Sequence, residues 1–248
     1  MKKEAKIAKD RVMRKIGKAN QSYNLVNEDD IILVALSGGI DSFVLLDALS
    51  SRLKYLPVKY TLHAIHVEIE DIQMEKNVDA IRAYCNKLEV PLHIEQTRIE
   101  KNVEKEKFTC FPCSWNRRKQ IFKKAEELKC NKVAFGHHMD DSLETLMMNM
   151  VHHAEISSIP PKVDMVKSNL QLIRPLILLT ADEIKHYAQT HNIQSMEKDC
   201  PFEDDSQRKR FGEILDKIGG MHDLAKINMF NSMSKIVSDY LPPERQKK

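Results

Sequence analysis

The sequence predicts an α/β fold built on a doubly wound, mostly parallel sheet, with helical additions at the N- and C-termini. Two observations predict it: apolar runs typical of strands buried on both faces, such as IILVAL at residues 31–36, and helix-periodic stretches that alternate with them. The length of 248 residues suits one α/β domain of generous size. The 42% hydrophobic and 30% charged residues are ordinary for a globular protein and argue against disordered and fibrous classes.

The predicted elements follow one another in a regular order. An amphipathic basic helix at residues 7–19 leads into the first strand at residues 31–36. Further strands are predicted at residues 60–67, 92–95, 132–136 and 172–175. The other helices are predicted at residues 43–53, 74–88, 116–128, 140–152 and 180–190. Thr180 and Glu183 predict a capping box for the last of these, and the chain after Asp199 is polar and then helical.

The sequence contains no signal for a membrane or for secretion. No run approaches the roughly 18 apolar residues that suggest a membrane span, and the start, MKKEAKIAKDRV, lacks an apolar core. We therefore expect a cytoplasmic protein that does not use a membrane.

Charge is unevenly distributed along the chain. The net charge is only +3, but residues 1–20 and residues 101–125 each hold eight Lys or Arg against two acids. Two basic segments on an otherwise acidic chain predict a localised anionic partner such as a nucleic acid, because phosphate contacts supply most non-specific affinity. The alternative interpretation is a pair of solvated helix faces.

A glycine-containing turn connects the first predicted strand to the next helix. Its candidate binding residues are Ser37, Gly38, Gly39, Asp41 and Ser42. Backbone amides freed by adjacent glycines, together with those of a helix N-terminus, make a site for phosphate oxygens. The turn is neither a Walker A loop nor a dinucleotide fingerprint. A simple capped turn would give the same pattern, but ligands of open α/β sheets bind where strands end, as this turn does.

A second polar segment follows the predicted strand at residues 132–136. It reads GHHMDD and contains Gly136, His137, Asp140 and Asp141. Beside a triphosphate, one carboxylate can share Mg²⁺ with the phosphates while the other orients or deprotonates the attacking group. The alternatives are N-terminal capping by the acids and simple packing of the histidines.

The five cysteines do not suggest a disulfide framework, because their number is odd and no secretory signal is present. Cys110 and Cys113 form a CFPC motif, and Cys200 follows about ninety residues later. The set could hold a 4Fe-4S cluster with one open iron, or act as a redox or persulfide relay. Structural zinc needs a fourth ligand. Cys85 and Cys130 are predicted to be core thiols.

SGGIDS resembles the SGGxDS signature of PP-loop ATP pyrophosphatases, and GHHMDD resembles the second motif of that family, GHxxDD. The resemblance implies an adenine nucleotide alpha hydrolase-like fold in which the loop holds the pyrophosphate part of ATP. A substrate oxygen then attacks the α-phosphate, and the substrate is adenylated. The resemblance also places the adenine pocket at the end of the second strand, with His66 as a nucleotide-binding residue.

Within this group the chain resembles the tRNA 2-thiocytidine synthetase family from about Lys9 to its final helices. The matching motifs are TCFPCSWNRRK, GHHMDDSLETLMMNM, IPPKV, IRPL and the Cys200 segment with Gln207 and Arg208. The resemblance implies ATP, Mg²⁺ and a 4Fe-4S cluster on Cys110, Cys113 and Cys200. It implies tRNA as a partner. We further expect a sulfur donor such as a cysteine desulfurase, with a homodimer as the candidate assembly.

The residue chemistry, read together with this resemblance, suggests roles and segments. Arg117 is the candidate to stabilise developing charge, Asp140 or Asp141 arranges the α-phosphate, and the basic residues at 117–124 fit a tRNA phosphate track. The predicted segments are a basic helical segment at residues 1–28 and a PP-loop ATP-binding domain at residues 29–195. A C-terminal helical segment carrying the third cluster cysteine follows at residues 196–248.

The chain departs from the family pattern in three places. Ile40 replaces the loop lysine usual in thiolating members, SMEKD at residues 195–199 lacks a second cysteine before Cys200, and the stretch at residues 164–169 is short. Two other functions stay open. One is an adenylating enzyme without a cluster, such as a tRNA lysidine synthetase or an amidating synthetase, and the other is a non-catalytic nucleotide-binding or redox protein.

Overall fold

A computed structural model describes residues 2–55, 58–71, 78–98, 110–166, 168–195 and 207–241. The helices are α1 Lys2–Tyr23, α2 Ile40–Tyr55, α3 Val78–Lys87, α4 Cys110–Glu127, α5 Met139–His153, α6 Ala181–Thr190, α7 Gln207–Gly219 and α8 Ala225–Ser232, followed by a 3₁₀ turn at Ser238–Tyr240. The strands are β1 Ile31–Leu36, β2 Thr61–Ile69, β3 Leu92–Thr97, β4 Lys132–Ala134, β5 Lys162–Asp164 and β6 Gln171–Ile173.

The strands form a six-stranded sheet in the order β3-β2-β1-β4-β6-β5. Neighbouring strands from β3 to β6 pair in parallel, and only the edge strand β5 pairs antiparallel to its neighbour. The predicted mostly parallel α/β fold is therefore confirmed. The chain winds from β1 through β2 to β3 in one direction and then crosses to β4 on the other side of β1, as doubly wound sheets do.

Helices cover both faces of this sheet. Helix α4 packs on β2, β3 and β4, where Leu33 and Val133 form a buried cluster with Ile121 and Ala125 of the helix. Ile32 and Val34 point to the other face, since side chains alternate along a strand, and both are fully buried. On that face α2 packs on β1, and α1 and α6 contact α2 and each other. Burial on both faces explains the continuous apolar run of β1.

The contacts divide the chain into two compact units. The first unit is Met1–Met139 with Pro160–Ser206, and it holds the whole sheet. The second unit is Asp140–Ile159 with Gln207–Lys248, and it contains α7, α8 and all of α5 except Met139. The predicted boundaries at residues 28 and 195 stay predictions.

Two details of the sequence-based assignment were wrong. Helix α4 begins at Cys110, six residues before the predicted start, so the CFPC motif lies in its first turn. Pro112 misled the assignment, but a proline is tolerated in a first turn because its missing N–H has no partner inside the helix there. Strand β5 was not predicted, because three residues at a sheet edge carry too little periodicity to detect.

The cap of α6 and the apolar length of the helices were both predicted from the sequence. The predicted capping box of α6 is confirmed: the Thr180 side chain accepts from the Glu183 backbone, and the Glu183 carboxylate accepts from the Thr180 backbone. Within the described residues, no helix is long and apolar enough to cross a membrane.

Candidate functional site

The two predicted nucleotide motifs follow neighbouring strands. Strands β1 and β4 pair in parallel, with Val34 beside Ala134, so their carboxyl ends lie at one edge of the sheet. SGGIDS follows β1, and GHHMDD begins two residues after Ala134. The strand order reverses between β1 and β4, and open α/β sheets bind ligands in the crevice outside such a reversal. The fold therefore brings the SGGIDS loop to the Gly136 segment at the expected place for a ligand.

The phosphate loop is held by its own backbone and hydroxyl groups. Gly38 has a φ of 98°, a conformation that strongly favours glycine. The Gly39 amide donates to the Ser37 hydroxyl at 3.2 Å, and the Ser42 hydroxyl donates to the Gly39 carbonyl at 2.8 Å. Ile40 starts α2, so the amides that begin this helix lie within the loop. These contacts define a tight turn next to a positive helix end, which suits an anion.

Close packing against the phosphate loop explains why the second motif begins with a glycine, Gly136. A Cβ at this position would lie 3.1 Å from the Asp41 carbonyl carbon, 3.1 Å from the Ser42 amide nitrogen and 3.2 Å from the Asp41 carbonyl oxygen. Those are backbone atoms that cannot rotate away. A side chain at Gly136 would therefore require the loop backbone to shift by a few tenths of an ångström.

Two histidines lie against the same loop. His66 is buried, and its Nδ1 donates to the Leu36 carbonyl at 2.9 Å, directly before the loop begins. His138 is also buried, and its Nε2 lies 3.9 Å from a carboxylate oxygen of Asp41. Sequence reasoning chose His66 and His137 as site residues, and it weighed His138 as part of GHHMDD without choosing it. The GHHMDD motif itself was the signal that could have found it.

Arg174 is a further residue that the sequence analysis passed over, although it is the arginine of IRPL. Its Nε donates to His137 Nδ1 at 3.4 Å, and its Nη1 donates to the Pro160 carbonyl at 2.7 Å. The Arg174 backbone amide also donates to the Pro161 carbonyl. Arg174 is buried and thus joins two separate family-like motifs, IPPKV and GHHMDD, through a single guanidinium group.

The first predicted carboxylate, Asp140, is part of the second unit. Lys226 of α8 donates to Asp140 at 2.5 Å and to Asp216 of α7 at 3.1 Å. The Lys226 and Asp140 side chains are only 13% and 6% exposed. Burial lowers the pKa of Lys226, but hydrogen bonds and charge attraction from Asp140 and Asp216 outweigh it, and the pKa is raised. Lys226 is therefore a cation that holds the Asp140 carboxylate.

The second predicted carboxylate, Asp141, is held more loosely. Arg208 Nη1 lies 3.8 Å from Asp141, and Arg208 Nε lies 3.7 Å from Glu144 one turn further along α5. The Arg208 side chain is 52% exposed, so solvent screens these attractions. Sequence reasoning included Arg208 only as a family-like position, and the structure gives it these two carboxylates.

The predicted cluster ligands are described in part. Cys110 is the first residue of α4, and Cys113 follows three residues later, about one helical turn along. The Cys110 side chain and all of Cys200 lie outside the described residues. Within the described part of the chain, no three His, Cys, Asp or Glu side chains form a metal-binding group. A helix N-terminus stabilises negative charge and lowers the pKa of thiols, so this location suits thiolate ligands.

The basic residues of α4 are not equivalent. Arg117 Nε is buried, and among the described residues it has no hydrogen-bond partner. Lys124 pairs at 2.7 Å with both Glu95 and Glu127, and Lys123 lies 3.9 Å from Glu127. The carboxylates of Glu95 and Glu127 therefore neutralise part of the positive charge at the end of α4 that holds Lys123 and Lys124.

The two remaining cysteines behave as predicted core thiols. Cys85 and Cys130 are buried. Burial raises the pKa of each thiol to about 11. Both stay protonated near neutral pH, which makes them poor nucleophiles and poor metal ligands compared with a thiol at a helix N-terminus.

The strand order, the loop and the glycine contact define a PP-loop protein. A family model for the PP-loop domain matches residues 8–215, which is most of the chain. The tRNA-cytidine(32) 2-sulfurtransferase of Herminiimonas arsenicoxydans is 32% identical over 236 residues, covering 93% of this chain and 74% of that protein. The enzyme of the same name from Idiomarina loihiensis is also 32% identical, covering 93% of this chain and 78% of that protein. The chain belongs to the tRNA-cytidine(32) 2-sulfurtransferase family.

A solved structure resembles the fold. The U34-tRNA thiolase NcsA from Methanococcus maripaludis, determined with its [4Fe-4S] cluster, superposes with a TM-score of 0.76. The match covers 98% of this chain and 82% of that chain at 22% sequence identity. At this identity the likeness establishes the fold alone.

Proposed function

We propose that the protein is an ATP-dependent tRNA sulfurtransferase that adenylates the cytidine at position 32 and replaces its 2-oxygen with sulfur. Its relatives at 32% identity are named for this reaction, and the chain keeps the phosphate loop in a geometry that suits ATP. The observation that carries the proposal is the placement of Cys110 and Cys113 one turn apart at the start of α4. PP-loop enzymes that attack with an amine need no such pair.

The reaction proceeds in two displacements. The base carbonyl oxygen attacks the α-phosphorus of ATP, an O–P bond forms, and the bond to pyrophosphate breaks with its electron pair leaving on pyrophosphate. Hydrosulfide then adds to the adenylated carbon and releases its proton, and the carbon–oxygen bond breaks as AMP departs with the original oxygen. ATP, cytidine and sulfide thus give AMP, pyrophosphate and 2-thiocytidine without any external oxidant.

The loop residues serve the first displacement. The Gly38 amide and the amides at the N-terminus of α2 hold the departing pyrophosphate, because they present oriented donors to developing negative charge. Ser37 and Ser42 keep the turn in shape through their bonds with Gly39. Asp41 lies beside His138 at the same turn. Their direct contacts with phosphate oxygens, and that of His66 with the adenine, are part of the proposal.

The charged residues serve both displacements. Asp140 and Asp141 arrange the α-phosphate and the attacking oxygen, and Lys226 fixes the orientation of Asp140. Arg117 stabilises the charge that develops as the base is activated, and its buried Nε, which has no hydrogen-bond partner among the described residues, fits that role. When bound, Mg²⁺ neutralises the triphosphate, and carboxylate oxygens are the ligands that it prefers.

The cysteines serve the second displacement. Cys110, Cys113 and Cys200 would hold a 4Fe-4S cluster, which when bound supplies an iron without a protein thiolate that can carry sulfide. Ser195, five residues before Cys200, donates to the Gly38 carbonyl of the phosphate loop at 3.3 Å. The segment leading to the third cysteine therefore starts at the loop, which supports a common site for ATP and the cluster.

The remaining partners and the location are also proposals. A cysteine desulfurase is the expected sulfur donor, a homodimer is the candidate assembly, and the cytoplasm is the expected compartment.

Thiolation is tested by replacing one cluster cysteine in anaerobically purified protein. Cys113→Ala should lose most of its iron and all formation of 2-thiocytidine in tRNA, measured by nucleoside mass spectrometry, while tRNA-dependent AMP release persists. Cys130→Ala removes a buried thiol elsewhere and should keep iron and thiolation. Full iron content and thiolation in Cys113→Ala would refute the ligand assignment. A wild-type protein that releases AMP but contains no iron would indicate an amine-using ligase instead.

A further inference from the structure

Helix α4 has one strongly exposed face, and it begins close to the CFPC motif. Trp115, two residues after Cys113, is 62% exposed. Arg118, Lys119 and Lys123 are exposed as well, at the spacing of three, four and eight residues that puts side chains on one side of a helix. Asn116, Ile121 and Ala125 of the same helix are buried. The helix thus presents an indole ring in line with three cations.

The cations of this helix differ in their ion pairs. Arg118 lies one turn from Trp115 and has no ion pair among the described residues. At the other end of the helix, Lys123 and Lys124 are neutralised in part by Glu127 and Glu95. A ring and a neighbouring unneutralised guanidinium are the two groups that single-stranded nucleic acid requires, since bases stack on aromatic side chains and phosphates attract cations.

We propose that Trp115 is a base-stacking platform for an unpaired nucleotide of the tRNA anticodon loop, with Arg118 on an adjacent phosphate. This inference rests on the proposed function, because it takes the RNA substrate as given. Sequence-specific and loop-directed RNA recognition uses bases that can be splayed out onto aromatic rings, which double-stranded RNA does not offer. Trp115 lies within one helical turn of Cys113 along α4, although side chains two residues apart point to different sides of a helix, so a base stacked on it would lie near the predicted site of sulfur transfer.

The chain contains a single tryptophan, so its intrinsic fluorescence reports on this position alone. Titration of the holoenzyme with an unmodified anticodon stem-loop should quench the fluorescence, because stacked bases quench indole emission. A fully paired RNA duplex of equal length should bind through its phosphates with little quenching. Equal quenching by the duplex, or binding of the stem-loop without quenching, would overturn the stacking role while leaving the proposed function intact.

Affinity measurements on variants provide the second arm. Trp115→Ala should weaken stem-loop binding by about 5- to 150-fold, the equivalent of roughly 1–3 kcal/mol per stacked base, whereas Trp115→Phe should retain most of the affinity. Arg118→Gln should weaken stem-loop and duplex alike and lower the salt slope by about one. An unchanged affinity in Trp115→Ala contradicts the inference. Absence of any RNA binding by the wild-type protein contradicts both the inference and the proposed function.

Discussion

The phosphate loop of the first unit depends on backbone contacts, whereas the acidic start of α5 in the second unit depends on contacts between side chains. The loop depends on backbone, with Gly38 in a conformation that side chains disfavour and Gly136 packed against the main chain of Asp41. Asp140 instead depends on a side chain, Lys226, which comes from a different helix. We therefore expect the backbone site to be sensitive to added atoms and the side-chain site to be sensitive to the loss of a charge.

The largest expected effect is on the backbone side of this comparison. Gly136→Ala puts a methyl group about 3.1 Å from backbone atoms of Asp41 and Ser42, so the loop must shift. Overpacking of this kind costs about 1–3 kcal/mol, and we expect ATP affinity, measured by calorimetry, to fall by up to about 150-fold.

Gly17→Ala is the matched control for that substitution. Gly17 lies inside α1. A methyl group added there would lie 3.6 Å from an Arg52 side-chain nitrogen, which is an ordinary contact. Alanine is the better helix former by up to about 1 kcal/mol, so this variant should be as stable as the wild type or more stable. If Gly136→Ala binds ATP as tightly as Gly17→Ala does, the loop does not depend on this contact.

The backbone side was also the part that the sequence predicted best. A buried strand, two glycines and a helix start are local features, and the parallel pairing of β1 with β4 then brings the second motif to the same edge. The glycine at Gly136 has a reason that the sequence could suggest but not establish. Only the structure identifies the backbone atoms that a Cβ at this position would approach to 3.1–3.2 Å.

The second effect in size is expected on the side-chain side. Lys226→Met removes the 2.5 Å ion pair while preserving most of the side-chain volume. In the proposed mechanism Lys226 orients the Asp140 carboxylate toward the α-phosphate. We therefore expect kcat for tRNA-dependent AMP formation to fall by about 10- to 100-fold, the range typical when a residue that orients a metal ligand is lost. The KM for ATP should change much less, since Lys226 acts through Asp140.

Two variants separate this positioning role from a loss of folding. Lys226→Arg keeps the charge and should recover part of kcat, which a purely volumetric role would not predict. Asp216→Asn removes the other partner of Lys226, but Asp216 is 80% exposed, so this change should alter kcat less than about twofold. The idea fails if Lys226→Met keeps wild-type kcat, or if KM alone rises.

The sequence could not predict this side of the comparison. Asp140 and Lys226 are 86 residues apart, and α8 has no motif that marks one lysine as special. The role of Arg174 could not be predicted for a related reason. The IRPL motif was recognised, but the contacts of Arg174 with His137 and Pro160 depend on tertiary packing. The run of basic residues in α4 was misleading for a different reason. In the sequence Lys124 looks equivalent to its basic neighbours, but in the structure it forms ion pairs with Glu95 and Glu127.

The smallest expected effect concerns Arg208, which is also a side-chain contact of the second unit but lacks burial. Its distances to Asp141 and Glu144 exceed hydrogen-bonding range, and its side chain is half exposed. Such pairs contribute about 0–1 kcal/mol, so Arg208→Gln should lower the free energy of unfolding by less than about 1 kcal/mol and reduce turnover by less than about fivefold.

A double-mutant cycle with Glu144→Gln measures this pair directly. The coupling energy should be small and should shrink further in 1 M salt, because solvent ions screen exposed charges over a few ångströms. Lys217→Gln makes the same charge change on α7 at an exposed lysine without an ion pair among the described residues, and it should leave stability and turnover unchanged. A turnover loss in Arg208→Gln as large as that in Lys226→Met would show that proximity, and not burial, decides which cation controls the acidic pair.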